Sequence, residues 1–293
     1  MTPISKDWKQ IINKIMKRTI AILSIGFAAF AASAQQTADI HVSYDSKGRN
    51  WSTDSIETTL MSLLANAGQA KYFNDISLWN DSLNSTPKGK AELRKIIMAT
   101  CMTQNPDGSV TFDMRKGPVK KVHTYVFTDL GGNSLRYYSK FGDEQGYYDE
   151  PFDEMQWEIT DSTTNILGYD CIMATTDYHG RRWTAWFTPD IPVPFGPWKL
   201  RGLPGLILKA TTDNDRSIIA TGLEKSDRQI TPMYSPEDYQ KKDRKKALSE
   251  HEYFKNNSES ILRAKFGNVQ FSDDYSNRPK YDAARYADES DYK

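Results

Sequence analysis

The stretch Phe195–Ala210, FGPWKLRGLPGLILKA, decides the fold, because it places a proline-glycine bend directly before an uninterrupted apolar run. Pro204 fixes φ at the second position of a type II turn, and Gly205 accepts the positive φ required at the third. We therefore predict a type II turn over Leu203–Leu206. The run Leu206–Leu208 does not alternate, which is typical of a strand covered on both faces. The motif is accordingly interpreted as scaffold. Its members are Gly202, Leu203, Pro204, Gly205, Leu206 and Ile207.

The segments around this motif predict an antiparallel sheet. From about Pro118 onward, short strand-like segments are separated by turn signals roughly every ten residues. In the segment 182–187, strict alternation places Trp183, Ala185 and Phe187 toward a core and Trp186 on the opposite face. Upstream, residues 55–75 fit either a helix or a hairpin that turns at 66–68, and their strand-forming residues favour the hairpin.

Two helices complete the prediction. Residues 87–103 carry apolar side chains at helical spacing. A charged helix is predicted to start with Ser235 as its cap, to run to Lys265 and to end at Gly267. The fold class is therefore α+β and mainly antiparallel β: a curved meander or half-open barrel sheet with one packed helix and a C-terminal surface helix.

The N-terminus has the pattern of a cleaved secretory signal. Basic residues precede the apolar stretch 19–34, which ends in the small-x-small sequence Ala32-Ser33-Ala34 and is short for a membrane span. Residues 1–34 are assigned to the signal peptide, and 1–15 to an upstream start-site extension, since Met16 is an ordinary signal start. Residues 35–230 form a single β-rich domain, and 231–293 a charged helix with an irregular tail. We expect export to the periplasm or the outer-membrane surface.

Charge excludes one class of partner. Removing residues 1–34 takes away five basic residues and one acid and leaves a net charge of −4. A slightly acidic chain lacks the basic surface that nucleic acid requires. No second apolar segment approaches membrane-spanning length, so no transmembrane segment is expected in the mature chain.

The two cysteines, Cys101 and Cys171, remain after signal cleavage. In an exported protein a disulfide between them is one alternative, and two separate buried thiols are the other. Neither lies in a redox pattern, so a catalytic thiol is not expected.

A set of motifs lies between about residues 120 and 225 and includes Gly180-Arg181-x-Trp183, Gly196-Pro197-Trp198-Lys199 and Gly202-Leu203-Pro204-Gly205-Leu206-Ile207. In this order the motifs resemble the GLPGLI family of exported proteins of unknown function. The resemblance implies a signal peptide and carries no catalytic residues. The strand pattern is similar to that of periplasmic half-barrels that hold an apolar ligand.

Two site hypotheses follow. His179 and Asp177 alternate onto one face of a strand end and are candidates for an acid–histidine pair, which makes a periplasmic hydrolase or metal-dependent enzyme the alternative function. A zinc site needs a third ligand, none is visible nearby, and neither a metal nor a cofactor is expected. The leading hypothesis is a non-enzymatic binding or carrier module for an apolar or extended ligand or an outer-membrane partner. Its groove would be lined by Trp186, Trp198 and Arg201, although core packing is the ordinary role of such aromatic residues.

Overall fold

The computed structural model of the protein describes residues 37–113, 116–151, 155–230, 233–267, 270–271 and 273–292. The predicted signal peptide lies outside the described residues. The strands are β1 Ile40–Arg49, β2 Ile56–Ala65, β3 Gln69–Phe73, β4 Met102–Gln104, β5 Val110–Phe112, β6 Tyr125–Asp129, β7 Ser134–Phe141, β8 Glu144–Pro151, β9 Glu158–Ile166, β10 Tyr169–Tyr178, β11 Arg181–Thr188, β12 Leu206–Thr212, β13 Ser217–Lys225 and β14 Gln240–Lys241. The helices are α1 Asp75–Asn84, α2 Pro87–Cys101, α3 Arg244–Phe266, α4 Asp273–Ser276 and α5 Ala283–Tyr286.

Twelve of these strands form one sheet in the order β14-β8-β7-β6-β3-β2-β1-β13-β12-β11-β10-β9, while β4 and β5 form a separate hairpin. Every pairing in the large sheet is antiparallel except β14 with β8. The fold is thus α+β and mainly antiparallel β, as predicted. The two halves of the sheet meet where β1 pairs with β13, so β8 lies near one end of the sheet and β9 forms the other.

The sheet is curved strongly enough to bring its two ends together. Residues 152–157 connect β8 to β9, and a connection of this length reaches at most about 25 Å. Between the two ends, the hydroxyl of Tyr178 on β10 donates a 2.9 Å hydrogen bond to the carboxylate of Glu150 on β8. The half-open sheet is therefore bridged by side chains where its strands do not pair.

The predicted interior strand is confirmed. Leu206, Ile207 and Leu208 are fully buried, and Trp183, Ala185 and Phe187 of the neighbouring strand β11 face the same core. The backbone amides after the bend bond within the protein, since Leu206 N donates to Ile191 O and Ile207 N to Phe195 O.

The bend itself is not a type II turn. Gly205 N donates to Leu203 O, which closes a three-residue γ-turn around Pro204, while Leu206 N donates to Ile191 O in the loop after β11. Gly205 has φ 157°, and a Cβ atom at this position would lie 2.1 Å from the carbonyl oxygen of Thr188. Glycine is required here by close approach of the backbone.

The predicted hairpin at residues 66–68 is confirmed by the pairing of β2 with β3. The predicted start of the C-terminal helix is wrong. Ser235 makes no side-chain capping bond, and Pro236–Asp238 is one 3₁₀ turn, because Gln240–Lys241 then pairs with β8. The helix is capped eight residues later by Asp243, and Gly267 ends it as expected.

The disulfide alternative is also wrong, because both cysteines are free buried thiols. Cys101 lies at the C-terminal end of α2, whereas Cys171 lies in β10 within the central core. The tail holds further anchors that the sequence did not indicate: Tyr281, Ala283 and Tyr292 are buried together.

Candidate functional site: a buried charge cluster

The tip of the β10–β11 hairpin presents His179 at the place where the sheet ends meet. His179 and Gly180 both have positive φ, 51° and 75°, which is the conformation of a two-residue hairpin turn that follows the sheet twist. The C-terminal tail docks on this tip. Ser290 N donates to His179 O at 2.9 Å, and Ser290 Oγ donates to Gly180 O at 3.0 Å.

Around this tip lies what we call the buried charge cluster, in which Lys199 is the central cation. Its side chain is fully enclosed. Its Nζ pairs with Glu150 Oε1, lies 2.6 Å from Glu289 Oε1 and donates a 3.1 Å bond to the hydroxyl of Tyr148. The cluster consists of Glu150, His179, Lys199, Arg244, Glu289 and Asp291.

Both ring nitrogens of His179 face carboxylates. Nε2 lies 3.0 Å from Glu150 Oε2, and Nδ1 lies 3.2 Å from Asp291 Oδ2. An imidazole can donate from both nitrogens only in its protonated form. Arg244, in the first turn of α3, completes the cluster: its Nε donates to Glu289 Oε2 at 2.7 Å, and its guanidinium also pairs with Asp291.

The electrostatics of the cluster are balanced internally. Three groups that can be cationic (His179, Lys199 and Arg244) face three carboxylates. Burial alone raises the pKa of the Glu150 carboxyl, but the Lys199 ammonium and the bond from His179 outweigh it and hold that pKa well below its usual range. Burial, reinforced by the charge of Glu289, raises the pKa of the Tyr148 phenol well above 10. The cluster is therefore saturated with its own charges.

The residues predicted from the sequence do not come together as expected. Asp177 forms an ion pair with Arg182 at 2.8 Å and is largely exposed, so His179 has Glu150 and Asp291 as its acid partners instead. The reason is that Asp177 lies within β10, whereas His179 has left the strand for the turn.

The predicted groove is also not formed. Trp198 is buried and stacks on Trp183 with 5.1 Å between ring centroids. Arg201 is buried as well and donates to Lys199 O at 3.0 Å. Trp186 alone of the three is partly exposed. Trp198 and Arg201 are therefore core residues, because the loop that carries them folds inward over the sheet.

Three ligand atoms, from Glu150, His179 and Glu289, lie within 4.8 Å of one another, a spacing that suits a metal ion. The Lys199 ammonium, however, contacts both carboxylates of this trio. It takes the place that a metal cation needs, so these residues fit a metal poorly as they stand.

Sequence reasoning identified His179 and missed the other five members of the cluster, which come from four separate segments. One signal was present: Lys199 lies in the otherwise apolar Gly196-Pro197-Trp198-Lys199-Leu200. A lysine within a buried stretch requires a buried partner.

Residues 149–248 match the family model described as the N-glycanase peptide, N-terminal domain. The matched span contains Glu150, His179, Lys199 and Arg244. No curated protein sequence matches the chain.

Among solved structures, the chain is similar to two crystal forms of PNGF-II. One has 15% sequence identity and a TM-score of 0.46 over 74% of this chain, and the other has 14% identity and a TM-score of 0.46 over 75%. The chain spans about a third of those chains, 33% and 34%. A putative outer membrane lipoprotein-sorting protein domain from Vibrio parahaemolyticus is more distant, with 9% identity and a TM-score of 0.20 over 68% of this chain and 88% of that one. None of the helices among the described residues has the length and apolarity needed to cross a bilayer.

Proposed function

We propose that this chain is an exported, non-enzymatic binding module of the cell envelope and a member of the GLPGLI family. The observation that carries the proposal is the saturation of the buried charge cluster. Lys199 is enclosed between two carboxylates, and both nitrogens of His179 are engaged. A general acid or base must reach a substrate proton, whereas the Lys199 amine and both ring nitrogens of His179 are already bonded within the protein.

The matched family model suggests the setting. Its description is that of an N-terminal domain of an N-glycanase peptide, and it covers about a third of this chain. We propose that the chain accompanies glycan processing outside the cytoplasm as an accessory domain, in the periplasm or at the outer membrane, and that an envelope protein is its partner.

The packing favours a polar ligand over an apolar one. A continuous core packs on the sheet and includes Trp183, Phe187, Phe195 and Trp198. These side chains are all nearly or fully buried, so they do not present an open apolar groove. Ligands are therefore expected on the outer surface.

A second candidate function, a hydrolase or metal-dependent enzyme that uses His179, has one observation in its favour. The ligand atoms of Glu150, His179 and Glu289 are close enough to share a metal ion. This function requires Lys199 to leave the cluster, which would uncover two buried carboxylates.

Two measurements test the proposal. The chain without residues 1–34, purified from its own envelope, should carry a bound polar ligand in native mass spectrometry. It should not release glycan from an N-glycosylated peptide. His179→Gln should lower the melting temperature and retain the ligand, and the exposed Asp177→Asn serves as the matched control. Glycan release that is lost in His179→Gln, without a change in melting temperature, would overturn the proposal. A native mass spectrum without any bound ligand would also overturn it.

A further inference from the structure

Two cavities of about 330 and 310 Å³ lie where α3 and the C-terminal tail meet the β1–β2 connection. Both are lined by Trp51 and Lys255, so they adjoin along these two side chains. We call them the Trp51 cavities. Their volumes lie at the lower end of the range of ligand pockets, about 300–1,000 Å³.

The wall that the cavities share is aromatic and held in place. Trp51 is half-buried and meets the ring of Tyr281 edge-on at 6.1 Å, and Tyr281 in turn stacks with Tyr286 at 6.0 Å. Tyr281 is fixed from behind, because its backbone N donates to Asn256 Oδ1 at 2.8 Å. An aromatic ring held in this way offers a preformed surface for a ligand ring.

The cavities also hold unpaired positive charge. Among the described residues, no carboxylate lies within ion-pair distance of Lys255, Arg278 or Lys280, which all line the larger cavity. Other lining cations differ in this respect: Arg49, for example, pairs with Asp215 at 2.6 Å. This local excess of positive charge contrasts with the net charge of −4 expected for the chain without its signal peptide.

Lys255 is the cation that both cavities share. Its Nζ lies 4.1 Å from the ring centroid of Tyr281 and 5.8 Å from that of Trp51, and no hydrogen-bond acceptor for it is found in the described parts of the chain. Burial lowers the pKa of Lys255 to about 8, so the side chain is still mainly charged at pH 7. An anion bound beside it would supply the partner that it lacks.

We propose that the Trp51 cavities bind an acidic saccharide, with a sugar ring against Trp51 and its carboxylate or sulfate group on Lys255. The apolar face of a pyranose ring packs on an aromatic side chain, and its hydroxyl groups need donors and acceptors. Polar side chains line both cavities: Ser52 and Thr59 in one, Asn257 and Lys280 in the other. The inference rests on the proposed binding function and adds the ligand class and the site.

Isothermal titration calorimetry at low salt tests this assignment with three probes: a trigalacturonate, a sulfated disaccharide and neutral maltotriose. The first two distinguish a carboxylate from a sulfate as the recognised anion. Lys255→Gln and Trp51→Leu should each weaken binding of the acidic probe at least tenfold. Lys245→Gln, which removes an exposed lysine from the same helix, should change it by less than twofold. Melting temperatures of all variants show which of them remain folded.

Binding of either acidic probe that these two variants weaken supports the proposal, and added salt should weaken it further. Binding of neutral maltotriose as tight as that of the acidic probes would overturn the ligand class. Failure of both acidic probes, or binding that neither variant changes, would overturn the site. If native mass spectrometry still finds a ligand that Trp51→Leu retains, only this site is wrong and the proposed binding function stands. If native mass spectrometry finds the chain without any bound ligand, the proposed function itself is wrong.

Discussion

Lys199 and Lys71 are both fully buried, but their surroundings differ. Carboxylates contact Lys199, whereas aromatic rings lie around Lys71. Lys199 forms ion pairs with Glu150 and Glu289, which contact it directly. Lys71 lies in β3 among aromatic rings, with its Nζ 4.8 Å from the centroid of Phe73 and 5.4 Å from that of Phe127. Burial, together with the charge of Arg228, lowers the pKa of Lys71 to about 7.

The difference teaches how a buried cation is accommodated. Where carboxylates surround it, the cation stays charged and becomes part of the structure that they share. Where rings surround it, the proton is held weakly, and the amine can become neutral near physiological pH. The first arrangement ties the two sheet ends and the tail together, whereas the second closes one aromatic cluster.

We expect the largest effect when each of the two lysines is replaced by methionine and the free energies of unfolding are compared. Lys199→Met leaves Glu150 and Glu289 buried without the cation that contacts both, which should lower the free energy of unfolding by about 3–5 kcal/mol. Lys71→Met replaces a lysine whose pKa burial already lowers to about 7, and it should lower the free energy of unfolding by less than Lys199→Met does. Urea unfolding at pH 7 measures both.

A triple variant provides the control for that comparison. Lys199→Met combined with Glu150→Gln and Glu289→Gln removes the stranded charges and should recover part of the loss. Equal losses in Lys199→Met and Lys71→Met would show that side-chain volume, rather than charge pairing, controls both sites.

Most of the fold could be predicted from the sequence, whereas the buried charge cluster could not. The alternation over Trp183–Phe187 and the unbroken apolar run Leu206–Leu208 each predict, from one short segment, which faces of a strand are buried. Such patterns are sufficient to predict the strands of a sheet. The cluster depends on which distant segments meet. Glu289 lies 90 residues from Lys199, and only the curvature of the sheet and the docked tail bring the two together.

The second largest effect is expected in the pH dependence of the free energy of unfolding above pH 7. The pKa of Lys71 is about 7 in the folded state, below the unfolded value of about 10.4, so the unfolded chain binds more protons between these values. Stability contributed by this site therefore rises with pH across that window, by about 2 kcal/mol between pH 7 and pH 9.

Urea unfolding at several pH values between 7 and 9 measures this slope, and Lys71→Met should lose it relative to the wild type. Staying below pH 9 keeps the tyrosines protonated. An identical slope in Lys71→Met would mean that the ammonium keeps its charge in the folded protein, and the contrast with Lys199 would then disappear.

The smallest effect tests whether burial, rather than membership of the buried charge cluster, sets the contribution of each carboxylate. The side chain of Asp291 is 37% exposed, whereas that of Glu289 is 5% exposed. Asp291→Asn should lower the free energy of unfolding by no more than about 1 kcal/mol, because water can replace the carboxylate and His179 keeps its bond to Glu150. Glu289→Gln should cost several times more, since it removes a buried carboxylate that both Lys199 and Arg244 contact. Salt sharpens the distinction: 0.5 M NaCl should reduce the Asp291→Asn effect and leave the Glu289→Gln effect nearly unchanged, because buried pairs are screened much less than exposed ones. Equal effects of the two variants would mean that the tail is held by its backbone bonds to the hairpin tip and not by its charges.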